Sequence, residues 1–197
     1  MPVNFEKKII LIHIPKTSGM ILQDKLKMRH GMLTSGTNCK NGRTKQHYTL
    51  ELILEVLKEN NLNYKYFNFF TIIRNPYDRF ISVYNQYPGN NDFCKMIDKR
   101  SKEEFADFLI EKINSCGYNF FNYGSYHQFQ PMWMYLENNN NINLNIIDLN
   151  SSYYLDFLKK HNINTDKIRI NKYIISDKLK EKIDIIYKKD FDLFKNN

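Results

Sequence analysis

The sequence predicts an α/β fold in which a central, mainly parallel sheet is flanked by helices. Three observations carry this. The apolar runs at residues 8–14 and 66–73 are each long enough for a buried strand, and each passes directly into a short loop and an amphipathic segment. A third run, residues 142–149, alternates in part between apolar and polar positions and is followed by another helical pattern. Strands that alternate with helices in this way build parallel sheets covered on both faces. With 197 residues, 14 Phe, 14 Tyr and no internal repeat, the chain reads as one domain over residues 1–197 with ample volume for a core.

The elements follow in order. The strand at 8–14 leads into a helix over about residues 18–28, whose apolar positions include Ile21, Leu22 and Leu26. Residues 31–46 hold three glycines and several Ser and Asn, which predicts a long loop. Thr49 can cap a helix whose Leu50, Ile53, Leu54 and Leu57 form a core-facing stripe. After the strand at 66–73, Asn75 is a natural N-cap and Pro76 fits the first helical position, because its missing N–H would be unpaired there anyway. Residues 88–91 (Pro-Gly-Asn-Asn) are a break. Ser101 and Glu104 have the spacing of a capping box, before a helix that buries Phe105, Phe108, Leu109 and Ile113. Residues 119–124 are turn-like, and 128–136 are helical around Pro131. Residues 138–141 are a solvated asparagine turn. The chain then gives the strand at 142–149, a helix at 152–160 and a last helix from about Ser176 that buries Leu179, Ile183, Ile186 and Tyr187.

Composition narrows the function. A formal net charge of +8 favours anionic partners. The lysines are scattered, with neither zinc-finger spacing nor an RNA-binding aromatic signature, so nucleic acid is not the expected partner. Cys39, Cys94 and Cys116 are an odd number without a C-x-x-C pair, which points to free thiols in a reducing compartment and to no metal site. No apolar run reaches the length of a signal peptide or a transmembrane span. A soluble, cytoplasmic protein is the expectation.

The chemistry concentrates at two strand ends. Residues 13–19 read His-Ile-Pro-Lys-Thr-Ser-Gly, a small-residue basic loop between a strand and a helix. Such loops cradle anions with backbone N–H groups, and Lys16 adds a mobile positive charge. Arg74 stands at the tip of the strand at 66–73, and open α/β sheets bind ligands at the carboxyl ends of their strands. Lys16 and Arg74 should therefore face one crevice.

The two segments, HIPKTSG at 13–19 and TIIRNPYDRFISVY at 71–84, resemble the donor-binding motifs of the sulfotransferases that use 3′-phosphoadenosine-5′-phosphosulfate (PAPS). The likeness is closest to the carbohydrate O-sulfotransferases of the heparan and chondroitin type. It extends weakly to residues 47–50, 128–136 and 187–194. The resemblance implies a P-loop-like, sulfotransferase-type nucleotide-binding fold. It implies that Pro15, Lys16, Thr17, Ser18, Gly19 and Met20 surround the 5′ end of the donor, that Arg74 and Ser82 hold its 3′-phosphate, and that a basic loop with Arg169 and Lys172 closes over the nucleotide. Met20 and Ile21 depart from the family, which often has small or hydroxyl residues there. PAPS would be the donor substrate, its 3′,5′-bisphosphate the product, and no metal is required. The enzymes of this likeness usually carry an amino-terminal membrane anchor. The chain shows none, and a compact soluble protein is expected rather than a trimmed catalytic domain of the Golgi lumen.

Sulfuryl transfer needs a base for the acceptor hydroxyl and a cation for the leaving phosphate. Lys16 suits the second task. His47, at the end of the glycine-rich loop and just before the Thr49 helix, suits the first, and the matching family position carries a catalytic histidine in several uronyl and hexosamine enzymes. His13, the main rival by sequence, lies inside the first strand and is read as a satisfied histidine of the core or the crevice floor. Some enzymes of the resembling family use a glutamate base, which makes Glu51 and Glu55 alternatives ranked below His47, since helical surface carboxylates are usually only solvated. His127, Gln128 and Trp133 are candidates for the acceptor site. Asp78 is read as structural, and the role of Arg79 stays open between pairing with Asp78 and reaching the nucleotide. The competing functions are a P-loop-like kinase, disfavoured because the spaced G-x-x-x-x-G-K-[ST] loop is absent, and a non-catalytic module that binds anions or nucleic acid.

Overall fold

The computed structural model describes residues 1–30, 39–40, 43–86, 97, 99–122, 124–137, 142–163 and 173–195, with the side chains of residues 30, 39, 40 and 43–45 not described. Its main sheet has five strands: β1 (Pro2–Asn4), β2 (Ile9–Ile12), β3 (Arg29–His30), β6 (Asn68–Ile73) and β7 (Leu144–Asp148), in the order β3-β1-β2-β6-β7. The ladders β2–β6 and β6–β7 are parallel, with Ile12 opposite Thr71 and Thr71 opposite Ile146. The ladders of β1 with β2 and with β3 are antiparallel. The sheet is therefore mixed, with a parallel half and an antiparallel edge, rather than mainly parallel. The sequence did not announce β1, because a three-residue strand has no periodicity of its own and is defined by its hairpin with β2.

Side-chain alternation along the strands sorts the core into two layers. Ile10, Ile12, Phe69 and Ile73 pack against α2 (Leu50–Glu59), where Leu50, Ile53, Val56 and Leu57 are buried. Leu11, Phe70, Ile72 and Ile147 pack on the opposite face, against Leu22 of α1 (Gly19–Lys25) and Tyr154 and Leu158 of α6 (Ser152–Lys160). Beyond the sheet, a third cluster joins Phe80, Ile81 and Val83 of α3 (Pro76–Tyr84) to Phe105 and Leu109 of α4 (Lys102–Cys116) and to Leu179, Ile183 and Ile186 of α7 (Asp177–Ile186).

The caps form where local chemistry put them. Thr49 accepts from the Leu52 N–H at 3.3 Å, Asn75 from the Tyr77 N–H at 3.0 Å with Pro76 at the first position, and Ser101 and Glu104 complete their capping box. The predicted loop at 31–46 contains two short antiparallel strands, β4 (Cys39–Lys40) and β5 (Arg43–Thr44), followed by a 3-10 turn over Lys45–His47. The first helix is shorter than predicted, ending at Lys25. The segment around Pro131 forms a 3-10 turn (Gly124–Phe129) and then the short helix α5 (Trp133–Leu136). The last predicted helix is two, breaking at Tyr187 into α7 and α8 (Lys188–Lys195). The breaks expected at 88–91 and 138–141 lie outside the described residues. Among the described residues no helix is long and apolar enough to cross a membrane.

Candidate active site

The parallel strands β2 and β6 end side by side, so the 13–18 loop and Arg74 emerge at one edge of the sheet. Thr71 fixes the register there by donating its hydroxyl to the Ile12 carbonyl at 2.9 Å. The loop is held in a shape that ordinary residues avoid. Lys16 and Ser18 both have φ of 65°. Left-handed conformation at a non-glycine costs on the order of 1–3 kcal/mol when the surroundings must enforce it, and such residues gather at functional sites. Lys8, Lys27, Asn61 and Asn162 are also left-handed; Lys8 lies in the tight turn between β1 and β2, and the other three directly follow helix ends, places where that conformation is ordinary.

Buried side chains enforce the loop. Thr17 donates its hydroxyl to the Ile14 carbonyl at 2.8 Å. Arg79, only 1% exposed, donates from Nε to the Pro15 carbonyl at 3.1 Å. Arg74 donates from Nη1 to the Lys16 carbonyl at 3.2 Å. Tyr154, fully buried on α6, brings its hydroxyl beside Ser18, and burial pushes that phenol up to about 12. Gly19 is required by close approach: a Cβ there would stand 2.1 Å from Cδ2 and 2.4 Å from Nε2 of His13.

Lys16 and Arg74 thus stand beside each other at this edge. Burial pulls the Lys16 ammonium below its ordinary value; the neighbouring Tyr173 opposes this and the charge of Arg74 adds to it. Burial likewise pulls the Arg74 guanidinium down, against the stabilising carboxylate of Asp78 and a hydrogen bond to Tyr173. Asp78 also accepts from the Tyr173 N–H at 3.3 Å, so it is tied into this corner rather than solvated. Two cations drawn partly out of water beside each other make a place that favours an anion.

Three imidazoles line up next to the loop. The rings of His13 and His47 are 4.7 Å apart, and those of His47 and His127 are 5.8 Å apart. His13 is buried, with Nδ1 accepting from the Gln23 amide at 2.6 Å, as expected of a satisfied histidine. His47, half-buried, places Nδ1 3.0 Å from the His13 carbonyl. A carbonyl can only accept, so Nδ1 carries the hydrogen and the basic lone pair of the neutral ring is on Nε2. His127 donates from Nδ1 to the Gly124 carbonyl at 2.7 Å, and its Nε2 takes the Gln128 amide at 2.7 Å. Both of its nitrogens are engaged.

Residues 2–154 match the model of the Sulfotransferase family, more than half of the chain. The chain belongs to the sulfotransferase family. No curated protein and no solved structure matches it. The α/β sheet flanked by helices agrees with that membership, and the family implies transfer of a sulfuryl group from a nucleotide donor to a hydroxyl acceptor.

The remaining candidates in this sulfotransferase are placed as follows. Ser82 is half-buried on α3, one turn beyond Asp78. Met20 is 70% exposed at the start of α1. Trp133 is half-buried, with Lys189 4.0 Å over its ring and Tyr118 at its edge. Glu51 and Glu55 are exposed on α2. Arg169 and Lys172 lie outside the described residues. No group of three or more potential metal ligands occurs among the described residues.

Sequence reasoning missed two parts of the site. Tyr173 ends the basic segment 168–173, in which only Arg169 and Lys172 are given a role. Asp190, fully buried, accepts from the N–H groups of Met132 at 2.8 Å and Trp133 at 2.9 Å. A signal for it existed: it continues the spacing of buried Ile183, Ile186 and Tyr187 along the carboxyl-terminal segment.

Proposed function

We propose that this sulfotransferase moves the sulfuryl group of PAPS onto a carbohydrate hydroxyl with His47 as general base. The observation that carries the reading is the meeting of Lys16, Arg74 and His47 at one edge of the sheet, where Arg74 bonds the Lys16 backbone and His47 bonds the backbone at the head of the same loop.

The donor suits the residues present. Lys16 and Arg74 are both held below their ordinary values by burial, so anionic groups between them would restore stabilisation that water otherwise gives. Lys16 and the 15–19 loop would hold the 5′ end, and Arg74 with Ser82 the 3′-phosphate; Arg169 and Lys172 are assigned to the nucleotide by resemblance alone. Met20, exposed, would border the donor rather than bind it through a polar group. PAPS supplies an activated sulfuryl group whose leaving side is a phosphate.

The chain's own residues do the rest. His47 takes the acceptor proton at Nε2, while the His13 carbonyl keeps hold of the Nδ1 hydrogen and stabilises the imidazolium that results. Lys16, on a flexible stem, offsets the charge that grows on the leaving oxygen. His127 and Gln128 lie beside His47 and would orient the acceptor, with Trp133 further along the same segment.

Transfer of labelled sulfate from PAPS to a panel of glycans tests this reading. The wild-type chain should label at least one glycan, and His47→Ala should lower that rate by about 10²–10⁴-fold. Labelling only of tyrosine peptides or simple alcohols would overturn the carbohydrate acceptor, and an unchanged rate in His47→Ala would remove the histidine base.

A further inference from the structure

We propose that Arg79 is a positioning residue that clamps the 15–18 loop to the 127–133 segment, and that the carboxyl-terminal helices complete the site by holding this clamp through Asp190 and Tyr187. The inference rests on the reading of that sheet edge as the transfer site.

Arg79 joins two pieces of chain that no strand pairing joins. Its Nε donates to the Pro15 carbonyl at 3.1 Å and its Nη2 to the Gln128 carbonyl at 3.0 Å. One carbonyl belongs to the loop that carries Lys16, and the other to the residue whose side chain bonds His127. The rigid fork of a guanidinium sets the distance between the two, which a lysine ammonium on a flexible stem cannot do.

A cation this buried needs compensation. It comes from α7 and α8. The Tyr187 ring lies 6.0 Å from the guanidinium carbon, and the Tyr187 hydroxyl donates to the Phe129 carbonyl at 2.8 Å. Asp190, fully buried, supplies a favourable negative charge at longer range and takes the Met132 and Trp133 N–H groups. Tyr135 adds a bond from its hydroxyl to the His127 carbonyl at 2.6 Å. Side chains of Arg79, of α5 and of the segment after residue 177 thus bond the His127, Gln128 and Phe129 carbonyls and the Met132 and Trp133 N–H groups. Helices α7 and α8 begin beyond residue 154, where the family match ends. The matched portion carries the clamp, and the unmatched portion carries its counter-charge.

The test compares Arg79→Lys with Ile183→Val, which trims a fully buried side chain of α7 without touching the clamp. Two readouts are taken: affinity for adenosine 3′,5′-bisphosphate by calorimetry, and the 15N imidazole resonances of His47 and His127 in the nucleotide-free protein. Arg79→Lys should weaken bisphosphate binding at least tenfold and displace the His127 resonances, while Ile183→Val lowers Tm and leaves both readouts at wild-type values. An Arg79→Lys protein that loses only stability, with affinity and imidazole signals unchanged, would overturn the proposal. If the wild-type chain does not bind the bisphosphate, the donor reading fails, and the imidazole readout still decides the clamp. Should Arg79→Lys not fold, Asp190→Asn replaces it: displaced His127 resonances support the clamp and wild-type resonances refute it.

Discussion

On one side of α3, Phe80, Ile81 and Val83 pack among Phe105, Leu109, Phe129 and Ile183. At the first turn of the same helix and the strand tip before it, Arg74, Asp78 and Arg79 bond the Lys16 carbonyl, the Tyr173 N–H and the carbonyls of Pro15 and Gln128. The apolar region is held by many weak, non-directional contacts, any of which can be exchanged for another of similar volume. The polar region is held by a few directional bonds in a place with little water, where losing one partner leaves the other exposed to the full penalty of burial. One helix therefore carries a tolerant surface and an intolerant one.

Substitutions can break that contrast. The largest effect is expected from Asp190→Ala. It removes the carboxylate that takes two backbone N–H groups, and each buried polar group left without its partner costs about 1–3 kcal/mol. Chemical denaturation should show this, and a loss below about 1 kcal/mol would place Asp190 in the tolerant class. Gly19→Ala comes next. Its Cβ would force the His13 ring aside, and overpacking of this kind costs about 1–3 kcal/mol. Because the His13 carbonyl holds His47, the imidazole resonances of His47 should move with it. The smallest effect is expected from Leu109→Met in the apolar region, a volume-conserving change with a cost under about 1.5 kcal/mol and no displacement of any histidine resonance. A histidine shift in Leu109→Met would erase the distinction between the two regions.

The same contrast explains how much could be read from the chain alone. The helix starts at Thr49, Asn75 and Ser101 were legible because a cap is a bond between neighbours in sequence. The meeting of Lys16 and Arg74 was legible because adjacent parallel strands put their carboxyl ends together. The strand β1 and the short pair β4–β5 were not, since two or three residues carry no period and exist through their partners. The bonds from Arg79 to the carbonyls of Pro15 and Gln128 were not legible either, because backbone carbonyls leave no mark in a sequence. For Asp190 the only mark of burial in the sequence is its helical spacing from Ile183, Ile186 and Tyr187.

Protonation gives this sheet edge a further signature. In the folded chain the Lys16 amine titrates below 10.5, chiefly through burial and in part through Arg74. The folded value lies under the unfolded one, so folding sheds a proton between the two, and the free protein gains stability from this group as pH rises through that window. A bound anion restores the charge, so binding takes up a proton there and affinity falls as pH rises through the same window. Lys16→Met should flatten both trends.

The most direct measurement is calorimetric titration of the wild-type chain, Lys16→Met and Arg74→Ala with adenosine 3′,5′-bisphosphate and, separately, with ATP and Mg²⁺. Two cations gripping opposite ends of one nucleotide predict micromolar affinity for the bisphosphate, clear preference over ATP with Mg²⁺, and loss of at least tenfold in each variant. Equal or tighter binding of ATP with Mg²⁺, or bisphosphate binding indifferent to both substitutions, would contradict the account.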